Sequence, residues 1–114
     1  MPTTTEADIM REIQLAVTKL GCRLMRNNCG QAITENGYTI RFGVGNPGGS
    51  DLIGWTATGR FLAIEVKRPG KNPTKEQRNF LDAVTKAGGV AGVARSVEDA
   101  VEIIRRDNNV WCDK

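Results

Sequence analysis

Two acidic residues and a lysine stand where backbone geometry can bring them together. Asp51 follows the turn-rich run Gly43-Val-Gly-Asn-Pro-Gly-Gly-Ser50, and Glu65 and Lys67 bracket Val66 at the end of the apolar run Phe61-Leu-Ala-Ile-Glu-Val. If the segments on either side of Thr56 to Gly59 form a hairpin with its turn centred near Thr58, residue 51 lies opposite residue 65. Opposed Cβ atoms in an antiparallel pair are roughly 4.5–5.5 Å apart. Strand alternation then places Glu65 and Lys67 on one face while Ile64 and Val66 point into the core. Adjacent carboxylates repel unless a cation lies between them or one stays protonated. Oxygen-only ligands suit a hard ion such as Mg²⁺ or Mn²⁺. Such an ion can polarise a phosphoryl oxygen and acidify bound water. A neighbouring lysine can orient or deprotonate that water, or stabilise charge developing on the phosphate. The chemistry indicated is phosphodiester hydrolysis.

The competing reading is a surface ion pair between Glu65 and Lys67, which is the commoner fate of an isolated Glu-x-Lys. Three features weigh against it. Glu65 lies inside an apolar strand, where an unpaired charge is costly. Asp51 follows Gly48-Gly49-Ser50, which leaves room for a bulky ligand. A basic cluster, Arg60, Lys67, Arg68, Lys71, Lys75 and Arg78, surrounds the second strand.

The elements that must position these groups are legible from periodicity. Ile9, Met10, Ile13, Ala16, Val17 and Leu20 recur at helical spacing, predicting an amphipathic helix over 6–20. Thr3-x-x-Glu6 and Thr5-x-x-Asp8 both resemble capping boxes, and Gly21 supplies a stop. Residues 23–28 predict a short strand, 29–37 a loop marked by Gly30, Asn36 and Gly37, and 38–42 a second strand. Residues 51–55 and 60–67 are the clearest strands, the latter apolar enough to be central. Thr74-x-x-Gln77 caps a helix to about Lys86, Val90 to Ala94 is a short strand, and Ser96-x-x-Asp99 caps a last helix. The order α-β-β-β-β-α-β-α predicts an α/β fold, a mixed β-sheet flanked by helices.

Composition is compatible with this and narrow in what it excludes. A chain of 114 residues fits one domain, 1–114. The net charge of +3 permits a nucleic-acid partner without demanding one. Three cysteines, no histidine and no Cys-x-x-Cys spacing argue against a disulfide framework and a zinc site, and for a reducing intracellular compartment. Cys22 reads as a small buried apolar residue. The N-terminus lacks the pattern of a signal peptide, and no apolar run approaches the roughly 18–20 residues of a membrane span. Trp55 and Trp111 read as packing residues, and 5% aromatic content leaves little for a base-stacking surface.

Gly48-Gly49-Ser50-Asp51 followed by Ala63-Ile64-Glu65-Val66-Lys67 resembles the core of PD-(D/E)XK nucleases. The wider pattern resembles the virus-type replication-repair nuclease (VRR-NUC) branch. Its pieces are Glu6 on the first helix, Arg26-Asn27-Asn28 with Gly30, Gly48 through Gly54, the Glu-Val-Lys strand, Thr74-x-x-Gln77-x-x-Phe80, and Gly88-Gly89-Val90-Ala91-Gly92-Val93. Together these span nearly the whole chain in order. Gly49-Ser50 stands where the broader superfamily often has Pro before Asp, a substitution at home in this branch. The resemblance implies a restriction-endonuclease-like core, Asp51 and Glu65 as metal ligands with the Val66 carbonyl as a third, and Lys67 as the catalytic lysine. Similar enzymes complete the site with a glutamate from the first helix. At 100° per residue Glu6 falls within the arc of Ile9, Ile13 and Val17, while Glu12 sits at its flank; the alternative for Glu6 is a capping role. Gln77 matches a glutamine near the family's site, and a capping role with Thr74 is equally open.

Lys71, Lys75 and Arg78, with Arg68 just before them, stand where they can grip phosphates, the alternative being a solvated helix start. A basic first turn opposes the helix dipole, which favours the first reading. Arg26 can contact the DNA backbone or pair with a site carboxylate. By resemblance, the expected activity is Mg²⁺- or Mn²⁺-dependent cleavage of branched DNA by a homodimer, as in Holliday-junction resolution. A 114-residue monomer also has little surface with which to read a branched substrate. The alternatives are a flap or nicking nuclease and a non-cleaving DNA-binding module. The implied setting is the cytoplasm of a bacterial host, with the gene carried by a phage or prophage.

Overall fold

A computed structural model describes residues 5–112, with side chains through Asp107. Helices α1 (Glu6–Lys19), α2 (Lys75–Lys86) and α3 (Val97–Cys112) alternate with strands β1 (Arg23–Arg26), β2 (Gly30–Ile33), β3 (Thr39–Phe42), β4 (Leu52–Trp55), β5 (Phe61–Val66) and β6 (Val90–Ala94). The main sheet runs β1-β4-β5-β6. Its first two pairings are antiparallel and the last is parallel, reached through the α2 crossover. This is the expected α/β fold with a mixed sheet flanked by helices.

Strand β5 is apolar because it is covered on both faces. Leu62, Ile64 and Val66 enter the principal core with Ile9, Ile13 and Val17 of α1 and Ile103 and Ile104 of α3. Ala63 packs on the other side with Leu81 of α2 and Ala91 of β6. Full burial of a side chain such as Ile64 contributes about 1.5–3 kcal/mol, so this strand anchors whatever its polar residues do.

The start of α1 is capped by Thr5. Its hydroxyl accepts from the Asp8 N–H, and the Asp8 carboxylate accepts from the Thr5 N–H. Of the two candidate boxes this one forms, which frees Glu6 from capping; Thr3 lies outside the described residues. At the turn end of β5, Arg60 Nε lies 3.4 Å from Asp107 Oδ1, and Thr58 Oγ1 donates to the same carboxylate at 2.6 Å. Arg60 is therefore committed to a buried acid at the opposite end of the strand from Lys67, and does not belong to the basic cluster expected there. Trp55, the last residue of β4, is 49% exposed, contrary to a packing role, although its strand is paired on both sides. The Trp111 side chain lies outside the described residues.

The segment expected as a loop, 29–37, contains strand β2, which pairs with β3 in a separate two-stranded sheet. Its connection is a three-residue turn closed by Gly37 at φ 85°. The hairpin meets the main body at a narrow neck. Asn46 Nδ2 donates to the carbonyls of Gly30 (2.6 Å) and Phe42 (2.9 Å). At Gly43, a Cβ would sit 2.6 Å from the Cys29 Cα.

Candidate active site

The β4–β5 register pairs Leu52 with Ile64, so Asp51, one residue earlier, faces Glu65. Each carboxylate is held by the other strand's backbone. The Asp51 N–H donates to Glu65 Oε1 (3.2 Å), and the Val66 N–H donates to Asp51 Oδ2 (3.0 Å). Lys67 Nζ lies 3.4 Å from Glu65 Oε2. Glu65 is 1% exposed. Burial, and then the charge of Asp51, push its carboxyl up to about 7, although Lys67 and the Asp51 N–H pull the other way.

Asp51 is itself positioned by Asn27, a residue that periodicity did not single out. The Asn27 N–H donates to the Asp51 carbonyl at 2.8 Å. Its side-chain Nδ2 donates to the Val44 (2.9 Å) and Ser50 (3.0 Å) carbonyls, and Oδ1 accepts from the Val44 N–H (2.9 Å). One side chain thus ties both ends of the turn-rich loop to the end of β1. The only signal for it in the sequence was its place in the Arg26-Asn27-Asn28 match. Gly49 completes the fold of the loop, because the Val44 carbonyl occupies the place its Cβ would take.

Ligand space lies beside it. A cavity of about 470 Å³ is lined by Asn27, Cys29, Pro47, Gly48, Gly49, Asp51, Thr74, Glu76 and Gln77. Gln77 occupies both places anticipated for it. Its Oε1 accepts from the Thr74 N–H (2.8 Å) in the α2 cap, and the residue lines the cavity with Asp51. Glu6 is half-buried, and its Oε2 accepts from the Arg68 N–H (3.3 Å), which places it at the end of β5 without joining the Asp51–Glu65 pair. Glu12 is exposed.

The five expected DNA-binding cations, Arg26, Arg68, Lys71, Lys75 and Arg78, are exposed, and none lines the carboxylate cavity. Lys75 stands between two residues that do, Thr74 and Glu76. Arg78 turns to a separate cavity with Asp82 and Arg106. The loop carrying Lys71 is held from below by Arg95, whose Nη2 donates to the Lys71 carbonyl (2.8 Å) and to Asn72 Oδ1 (3.1 Å).

The donor set fits a hard divalent cation: two carboxylates from facing strands, each with one oxygen steered by a backbone N–H. Among the described residues no group of three His, Cys, Asp or Glu side chains forms. Further ligands would come from backbone carbonyl and water, the manner in which Mg²⁺ is usually held. Among the described residues, no helix is long and apolar enough to cross a membrane.

In comparison with known protein families, residues 8–98 match the VRR-NUC domain. No curated protein and no solved structure matches the chain. The matched span begins just after Glu6 and runs from α1 into the first turn of α3. It takes in Asn27, the facing carboxylates, Lys67 and Gln77 in a single frame, and on that extent of agreement the chain belongs to the VRR-NUC family, a family of nucleases.

Proposed function

We propose that this protein is a divalent-metal-dependent endonuclease acting on branched DNA, with Asp51, Glu65 and Lys67 as its catalytic set. The observation that carries the reading is the facing pair Asp51–Glu65 with the Lys67 ammonium 3.4 Å from it. Asp51 and Glu65, with the Val66 carbonyl, would hold Mg²⁺ or Mn²⁺. When bound, the ion supplies Lewis-acid polarisation of the phosphate and acidified water. The chain's own part is orientation and charge. Backbone N–H groups fix the two carboxylates. Lys67 presents a cation where phosphoryl charge grows, worth most in a partly desolvated site. Gln77, on the cavity wall, orients the scissile group, and Glu6 acts from the end of β5. Arg26, Arg68, Lys71 and Lys75 contact phosphates on either side, and Arg78 contacts them further out.

The substrate we favour is a four-way junction cut by a homodimer, since two-fold symmetry suits paired incisions. The setting we favour is a bacterial cytoplasm, with the gene carried by a phage or prophage. The test is incubation of labelled four-way, flap, nicked and linear DNA with Mg²⁺, with Mn²⁺ and with neither. Paired incisions on the junction are expected with either ion. Preferred cutting of flaps or nicks would replace the substrate assignment, and binding without cleavage of any DNA would show a non-cleaving module. Asp51→Ala and Glu65→Ala should each lower cleavage by on the order of 10²-fold or more; full activity in either overturns the site.

A further inference from the structure

The segment 67–74 leaves β5 and enters α2 with little of its own to keep its shape. Pro69 and Pro73 have no N–H to donate. The Lys71 N–H turns back to the Arg68 carbonyl (3.1 Å) through Gly70 at φ 86°. The Lys71 carbonyl meets Arg95, 24 residues on. Arg95 Nη2 and Nε both donate to it, at 2.8 and 3.3 Å, and Nη2 also donates to Asn72 Oδ1 at 3.1 Å. The base of Arg95 is fixed in turn. It follows Ala94, the last residue of β6, whose carbonyl accepts from the Lys67 N–H (3.1 Å). Its own N–H donates to Asp99 Oδ2 (2.9 Å), and the Asp99 N–H donates to Ser96 Oγ (3.2 Å) at the start of α3.

We propose that Arg95 is a positioning residue for DNA: it holds the Lys71 peptide so that the exposed Lys71 ammonium meets a phosphate just past the catalytic strand. The inference rests on the DNA-binding reading of Lys71 above. A peptide group is planar, so a carbonyl gripped by two N–H groups constrains the direction in which its side chain departs. The guanidinium suits this task because its donors form a rigid planar fork. Its acceptors here are a neutral carbonyl and an amide, and bonds from a charged donor are roughly twice as strong as neutral ones. Two of its three nitrogens are engaged with the loop. The near end of the segment is tied separately, since the Arg68 N–H donates to Glu6 Oε2 (3.3 Å). Arg95 therefore governs the far end, where Lys71 stands. A cation ordered before binding lowers the ordering cost of the contact it makes.

The experiment is equilibrium binding to a labelled four-way junction, in chelator and over a salt series, for the wild type, Lys71→Ala, Arg95→Ala, Arg95→Lys and Lys71→Ala/Arg95→Ala. Lys71→Ala should lower the slope of log affinity against log salt by about one, and Arg95→Ala by roughly half of that or more. The double variant should match Lys71→Ala alone, because the brace then has nothing to present. Arg95→Lys keeps the charge and loses the fork, so it should behave as Arg95→Ala. Without DNA, trypsin should cut after Lys71 several-fold faster in both Arg95 variants. A wild-type slope in Arg95→Ala overturns the proposal, as do wild-type trypsin rates in both variants. Additive losses in the double variant, or a wild-type slope in Arg95→Lys, would show Arg95 touching phosphate itself and overturn it too. If circular dichroism finds Arg95→Ala unfolded, the slope and trypsin rate of Arg95→Lys decide. A wild-type slope in Lys71→Ala overturns the inference through the contact it rests on, and the trypsin rates then still report whether Arg95 holds the loop. Because binding is read in chelator, a protein that grips DNA and cuts none leaves the result standing.

Discussion

Glu65 sits where its own charge is unwelcome. Its carboxyl is raised from an ordinary 4.5 to about 7 by burial and by Asp51. The folded state therefore binds more protons than the unfolded chain between those values. The stability this gives is fully present below about pH 4.5 and is lost as pH rises through about 7. The metal-free protein should melt progressively lower across that window, and Mg²⁺ or Mn²⁺ should restore the loss above it, because binding requires the ionised pair. Calorimetry in chelator and in metal checks both. Glu65→Gln should flatten the decline and melt higher than wild type above pH 7 while cleaving nothing; a wild type whose melting temperature is flat with pH would refute the account. At this scale the sequence was informative where geometry is arithmetic. Opposed positions in a hairpin sum to a constant, which put residue 51 across from residue 65. Helical angle separated Glu6 from Glu12, and the Thr5–Asp8 cap then left Glu6 free to meet Arg68.

Elements carry what that arithmetic could not reach. Asn27 bonds to residues 17 and 23 positions away, and no local pattern announces such contacts. Asn27→Ala should leave the partner groups at Val44 and Ser50 unsatisfied, at a cost of about 1–3 kcal/mol. Because it holds the strand bearing Asp51, kcat should fall more than KM rises; an unchanged kcat in a folded variant would separate the loop from the chemistry. The same limit hid β2. Gly30 and the Asn36-Gly37 pair read as loop, and Gly30–Ile33 is a strand only because β3 returns beside it. The strands and helices of the main body were visible because their apolar spacing answers to one core. Gln77 illustrates the overlap of the two levels: its capping bond is local and legible, whereas its place on the cavity wall depends on how α2 packs over β5.

For the molecule as a whole, extents of 53 × 41 × 24 Å and a radius of gyration of 15.0 Å exceed the roughly 13 Å of a compact chain of about this length. The hairpin is a second small sheet beside the main one, and the exposed cations are distributed outside the cavity rather than in it. Their contribution to DNA binding should therefore be collective and ionic. Lys71→Ala and Lys75→Ala should each reduce the slope of log affinity against log salt by about one, without changing which DNA structure is preferred. Arg78→Ala should reduce it less, since Arg78 faces a separate cavity with Asp82. Equilibrium binding over a salt series measures all three, and equal slopes for all variants would remove these residues from the interface. The neck at Gly43 and Cys29 has a further consequence. The hairpin enters and leaves the main body through a single point, so its length and its face can be rewritten without redrawing the sheet that holds the carboxylates. In such a protein, the hairpin and the sheet that holds the carboxylates can be inherited, exchanged or engineered as separate parts.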